Sequence, residues 1–207
     1  MRTSIVILIF ITTLSFAGSA QEKGHTRFSL RVEPVLSWMK SDMENVSSKG
    51  SLPGYNLGLG IDHFFGDNYA FATGLTINTT GGKLYYPVVG DIPAFTQTYR
   101  LKHIEVPLGL KLRSGDLYRI NIYGRFGLSP QINIKASDEH SQKLNSEVRL
   151  LELGYHLGGG IEYSLGGKNA LIFGLLFNSG FTDVTKRSGF DDKATLSRIN
   201  FEIGFIF

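Results

Sequence analysis

The sequence predicts an all-β chain, an eight-stranded antiparallel up-and-down transmembrane β-barrel that follows a cleaved leader. Three observations predict it. Stretches of about ten residues or more alternate large apolar with polar or small side chains, the period of a strand whose two faces meet different surroundings. The connectors between them run long, short, long, short, long, short, long, as in a spanning barrel with broad loops at one end and tight turns at the other. The last nine residues, Ile199–Phe207, are apolar at every odd position and stop on Phe207.

Composition fits this class. The 207 residues are enough for one domain, and 42% hydrophobic with 19% charged residues excludes a disordered chain. The 25 glycines and 12% aromatics suit strands and tight turns. The formal charge is +3, and loss of Arg2 with the leader leaves +2 (20 basic against 18 acidic residues), too little and too dispersed for a nucleic-acid surface. The absence of Cys excludes disulfides, a thiol nucleophile and Cys-ligated zinc.

Residues 1–20 read as a secretory signal peptide: Arg2, an apolar run starting at Ile5, and Gly18-Ser19-Ala20 before Gln21. The barrel domain is then 21–207. No later stretch reaches the ~18 continuous apolar residues of a spanning helix, so a membrane location requires a closed sheet.

Strand one, Arg27 to Met39, sets Phe28, Leu30, Val32, Leu36 and Trp38 against Arg27, Ser29, Arg31, Glu33 and Ser37. A polar segment from Lys40 to Pro53 follows. Strand two, Gly54 to Phe65, opposes Tyr55, Leu57, Leu59 and Ile61 to Asn56, Gly58, Gly60 and Asp62, and Gly66-Asp67-Asn68 turns the chain. Strand three runs from Tyr69 to Asn78, and Thr79–Gln97 is expected to be a long connector. Strand four spans Thr98–Arg113, where a change of phase between Leu101 and Ile104 predicts a bulge near His103 and Pro107 a local bend. Strand five, Tyr118 to Lys135, presents Ile120, Ile122, Phe126, Leu128, Ile132 and Ile134 on one face, and Ala136–Glu147 reads as loop. Strand six ends near Leu165, strand seven spans Ala170–Phe181, Thr182–Ala194 connects, and Ile199–Phe207 closes the series.

Alternation does not by itself say which face is inside. A soluble lipocalin-like barrel or sandwich would bury the apolar face. Its bulk would crowd a small interior and pave an exterior easily. Aromatic residues also gather towards strand ends (Trp38, Tyr55, Tyr69, Tyr99, Tyr118, Tyr163, Phe181, Phe205), as in membrane-boundary girdles. The apolar face is therefore expected to meet lipid. Arg27, Arg31, Glu33, Glu105, Lys111, Arg125, Glu152, His156, Glu162, Arg198 and Glu202 would then line the interior as ion pairs filling the lumen, or as a polar pathway gated by exchanging Arg–Glu pairs.

The Ile199–Phe207 strand resembles the C-terminal strand that the barrel-assembly machinery of bacterial outer membranes reads. Ile104-Glu105-Val106-Pro107-Leu108-Gly109-Leu110-Lys111, preceded by Tyr99 and Leu101, resembles a segment of the PorT-like outer-membrane β-barrel family of Bacteroidetes. The resemblance implies an outer-membrane barrel of a Gram-negative bacterium with both termini periplasmic. Its implied partners are outer-membrane lipid and lipopolysaccharide, the assembly machinery, and secretion-system or surface proteins.

No cofactor, metal site or catalytic residue is assigned. A lipid-modifying enzyme would need a Ser, a His and an acid at a lipid-facing rim, with His63, His103 or His156 as candidates. His156 falls on the inward face, His63 beside a tight turn and His103 at the expected bulge. The five His residues lack zinc-ligand spacing. Gly158-Gly159-Gly160 lies inside a strand and cannot cradle phosphate as a strand-to-helix loop would.

Overall fold

The computed structural model describes residues 25–42, 46–88, 93–115, 118–138, 148–184 and 194–207. The leader expected over residues 1–20 lies outside them. Eight long strands build one sheet: β1 (Thr26–Ser41), β2 (Leu52–Gly66), β3 (Tyr69–Tyr86), β4 (Phe95–Glu105 continued by Leu108–Arg113), β5 (Ile120–Ser137), β6 (Leu151–Gly166), β7 (Asn169–Gly180) and β8 (Ala194–Ile206). Each pairs antiparallel with its chain neighbours, and β8 pairs with β1, closing the ring. At the seam Leu30 faces Phe205. The Phe207 amide donates to the Phe28 carbonyl at 3.0 Å, so the last residue takes part in closure.

Large apolar residues point outward on every strand, and on β7 Ile172 and Leu176 are also buried inside. Leu59 is 56% exposed and Ile122 54%, while inward neighbours such as Asn56, Asp62 and Asn121 are buried. A water-soluble barrel would show the reverse, so the exterior is built for lipid. On β4 the outward row Ile104, Val106, Leu108, Leu110 and Leu112 spans nine residues, matching the ~9–11 that a tilted strand needs to cross a bilayer.

Two tight turns have a common design. Asp67-Asn68 and Gly167-Lys168 are each preceded by a glycine at a one-residue register shift, Gly66 and Gly166. Gly166 and Gly167 take φ of 111° and 63°, where a side chain would be strained.

Four expectations are corrected. Strand three does not end at Asn78: β3 runs on to Tyr86 and β4 resumes at Phe95, so the expected Thr79–Gln97 connector shrinks to 87–94. Glycines and polar residues at 79–83 hid a strand whose inward positions fit a crowded interior. Strand eight likewise begins at Ala194 rather than Ile199. The expected bulge lies not in strand four but in its neighbour. His103 keeps the inward phase of Leu101 and Glu105, and the extra residue is at Ile134–Lys135, because Lys102 faces Lys135 while His103 faces Asn133. The β4 backbone instead interrupts at Val106-Pro107, where proline has no N–H to donate.

The fourth correction concerns the interior, which is not polar throughout. At the long-connector end Met39, Leu84, Tyr86, Tyr99, Leu101, Ala136 and Leu196 form a buried apolar cluster inside the ring, joined by Val46, Val148 and Val184 from the connectors. Tyr99 is therefore not a girdle residue: it is fully buried, 3.3 Å from the Tyr86 hydroxyl. Reading Tyr99 and Leu101 as outward is what produced the false phase change. The strands project beyond the membrane-spanning length at this end, and their inner faces close over the lumen as a small soluble core would.

Candidate functional site

Beneath this apolar cap the lumen is filled by charge. Alternation aims every second residue inward, and the eight-stranded ring leaves just enough width for side chains from opposite walls to meet. Six cations (Arg27, Arg31, Lys111, Arg113, Arg125, Arg198) and six carboxylates (Glu33, Asp62, Glu105, Glu152, Glu162, Glu202) occupy it among the described residues. The charges balance, as an interior screened from water requires.

The network is layered along the barrel axis. At the tight-turn end Glu162 takes Arg27 at 2.8 Å, Arg113 at 3.1 Å and Lys111 at 2.6 Å. Lys111 also reaches Asp62 at 2.5 Å and lies 4.8 Å from the centre of the Tyr123 ring. One layer further, Glu202 forms ion pairs with Arg31 at 3.1 Å and Arg125 at 3.3 Å and accepts from the Tyr123 hydroxyl at 2.6 Å. Tyr123 fits because Gly160 and Gly174 lie under it: a Cβ on Gly174 would stand 2.4 Å from its hydroxyl oxygen.

Amides take over at mid-barrel. Glu33 accepts from Asn56 and Asn200, each at 3.1 Å. Glu105 pairs with Arg198 and accepts from Asn78 at 2.5 Å. Arg198 donates to Gln131 at 3.2 Å, Gln131 donates to Glu152 at 2.9 Å, and Glu152 meets His103 Nε2 at 3.1 Å.

All eleven residues expected inside are there. Asp62, Arg113, Tyr123, Gln131 and the asparagines Asn56, Asn78 and Asn200 join that expected set. Parity was the available signal: Asp62 shares its phase with Asn56 and Gly60, and Arg113 with Lys111.

The histidine candidates do not converge. His63 is exposed on the outer face and meets Thr26 at 2.9 Å. His103 is held by Glu152, as above. His156 is inward, with Nδ1 2.9 Å from the Ser129 hydroxyl, both residues buried. The cavity touching His156 measures about 20 Å³, room for one water and not for a substrate.

A larger cavity of about 320 Å³ opens at the tight-turn end, lined by His25, Arg27, Arg113, Tyr118, Asn121 and Lys168. His25 stacks on Phe64 with ring centres 4.5 Å apart. Partial burial first, then the cations Arg27, Arg113 and Lys168, hold its imidazole below the usual histidine range.

Residues 19–186 match the family model described as outer membrane protein beta-barrel domain. Among solved structures, Neisserial surface protein A is similar with a TM-score of 0.59 at 14% identity, covering 89% of this chain and 98% of that one. The outer membrane protein OprG from Pseudomonas aeruginosa gives 0.50 at 13% identity, with 90% and 97% covered. Likeness at these identities is a likeness of fold. No curated protein matches the chain.

Proposed function

Because this chain belongs to the outer membrane protein beta-barrel domain family, we propose that it is a non-catalytic outer-membrane barrel, sealed through its lumen and working by surface interaction. In this reading the tight turns and both termini are periplasmic and the four long connectors face outward. The Ile199–Phe207 strand is what the assembly machinery engages. The PorT-like resemblance makes a secretion-system component or a surface protein the partner of the long connectors.

One observation carries the sealed reading: the six-against-six network spans the lumen, beneath an apolar cap, with mid-barrel cavities of about 20 and 10 Å³. A pathway for ions would need a continuous wet line, and paired charges with interlocked amides offer none. In a planar bilayer the purified protein should show no stable conductance steps. Reproducible unitary currents would reject the seal.

The Ser129–His156 contact is the observation that favours an enzyme. Its burial in the lumen supports a structural role, because acyl chains reach the outer wall and not this pair. Incubation with lipopolysaccharide and phospholipid should release no fatty acid. Release abolished by S129A in a folded barrel would establish the enzyme instead.

A further inference from the structure

We propose that Lys83, Arg100, Lys102 and Lys135, outward on three adjacent strands, bind the phosphate groups of the anionic glycolipid in the outer leaflet. The inference deepens the proposed function, since it rests on the long connectors facing outward.

Position comes first. The outward apolar rows end at Ile77 on β3, Ile104 on β4 and Ile134 on β5. The cations come next: Lys102 lies two residues past Ile104, about 7 Å along the strand, Arg100 two further, and Lys135 directly after Ile134. Lys83 is placed outward by its inward neighbours Leu84 and Gly82. Lys102 and Lys135 thus stand at the depth of lipid phosphates beside a spanning barrel, with Arg100 and then Lys83, six residues past Ile77, further out.

Pairing comes second. Register sets Lys102 directly opposite Lys135. Like charges facing across strands destabilise a sheet, and among the described residues none of the four cations has a carboxylate in ion-pair reach. The lumen cations, by contrast, are matched with six carboxylates. An external phosphate between Lys102 and Lys135 converts their repulsion into shared attraction, and lysine ammonium groups suit phosphate as point charges.

The bulge is the third observation. Strict alternation from Gln131 and Asn133 would turn Lys135 inward, towards the apolar cap. The extra residue at Ile134–Lys135 leaves both exposed, re-aiming the lysine to the outside. The opposite arc of the wall is built differently. There Trp38, Tyr155, Phe177 and Phe181 form an aromatic group with ring centres 5.0–6.3 Å apart, with Lys40 beyond Trp38, so the like-charged cross-strand pair distinguishes the β4–β5 side.

The test measures lipid A binding to the purified barrel in nanodiscs of zwitterionic lipid. Each cation near an anionic lipid surface strengthens attachment by about fivefold, so R100Q/K102Q/K135Q should bind about a hundredfold more weakly. K102R/K135R should retain binding, and K168Q, in a tight turn at the opposite end, should bind as the unaltered protein does. Heat-modifiable migration in gels confirms that each variant is folded. Equal binding by the triple variant, or equal binding of dephosphorylated lipid A, would overturn the proposal. Tight binding of inorganic phosphate alone would make the occupant a soluble anion and overturn the lipid assignment. Orientation is read separately by labelling S48C in intact cells with an impermeant maleimide. Labelling that requires permeabilised cells would remove the outward-facing reading and the outer-leaflet assignment, while the nanodisc arm would still report whether these cations bind phosphorylated lipid.

Discussion

Glu202 gathers three partners on two oxygens, from two other strands: Arg31 from β1, Arg125 and Tyr123 from β5. Its truncation leaves buried guanidinium groups facing one another with a carboxylate missing. E202A should therefore lower the unfolding free energy by about 3–5 kcal/mol, read by denaturant titration in lipid. Y123F removes one hydrogen bond to a charged acceptor and should cost less, about 2 kcal/mol. Gly174 supplies the space both need. G174A puts a methyl group 2.4 Å from the Tyr123 oxygen and 3.2 Å from Glu202 Oε2, an overpacking expected to cost about 1–3 kcal/mol. Because the clash is with the Tyr123 hydroxyl, G174A should cost less in a Y123F background than alone. Additive costs would mean the contact at Gly174 lies elsewhere.

At the scale of elements, β8 and its terminal aromatic hold the seam. Phe207 bonds to the Phe28 backbone, and its ring lies 6.3 Å from that of Phe28 and 6.4 Å from that of Phe205. F205S/F207S, or deletion of Phe207, should reduce the assembled fraction in outer membranes far more than serine substitutions within 185–193. Equal yields would remove this end of the chain from the closure step. The strands in the lipid band were legible in the sequence because most positions there obey one rule, apolar out and polar in, although Ile172, Leu176 and Ile206 turn inward. That rule gave strand number, the tight turns and all eleven expected interior residues. It failed beyond the band, where Leu84, Tyr86, Tyr99 and Leu101 turn inward to make a cap. A Leu facing lipid and a Leu facing a cap are the same letter, so alternation could not place the boundary. The Ile134–Lys135 bulge was illegible for a related reason: register is a property of two strands, and one strand's pattern does not report it.

The whole molecule inverts a soluble protein across most of its length and resembles one in the cap, with a smaller buried cluster of Tyr123, Ala170, Ile172 and Ile206 nearer the tight turns. Its polar network is not local. Arg27 of β1 meets Glu162 of β6, and Arg198 of β8 meets Glu105 of β4. Unfolding should consequently be a single transition. Fluorescence of Trp38, the sole tryptophan, and loss of the fast-migrating folded band should share one denaturant midpoint. Separate midpoints would show that cap and network come apart independently.

The balance of lumen charges also constrains how the chain reaches the membrane. A sheet lacking β8 has no Arg198, Asn200 or Glu202, and leaves Arg31, Arg125, Glu33 and Glu105 short of partners. Such a sheet must keep water on its inner face, so committing it to lipid before the seam is made is uphill. The interior thereby acts as a count of strands: the eighth supplies the last counter-charges, and with them the first state in which the bilayer is a better home than water.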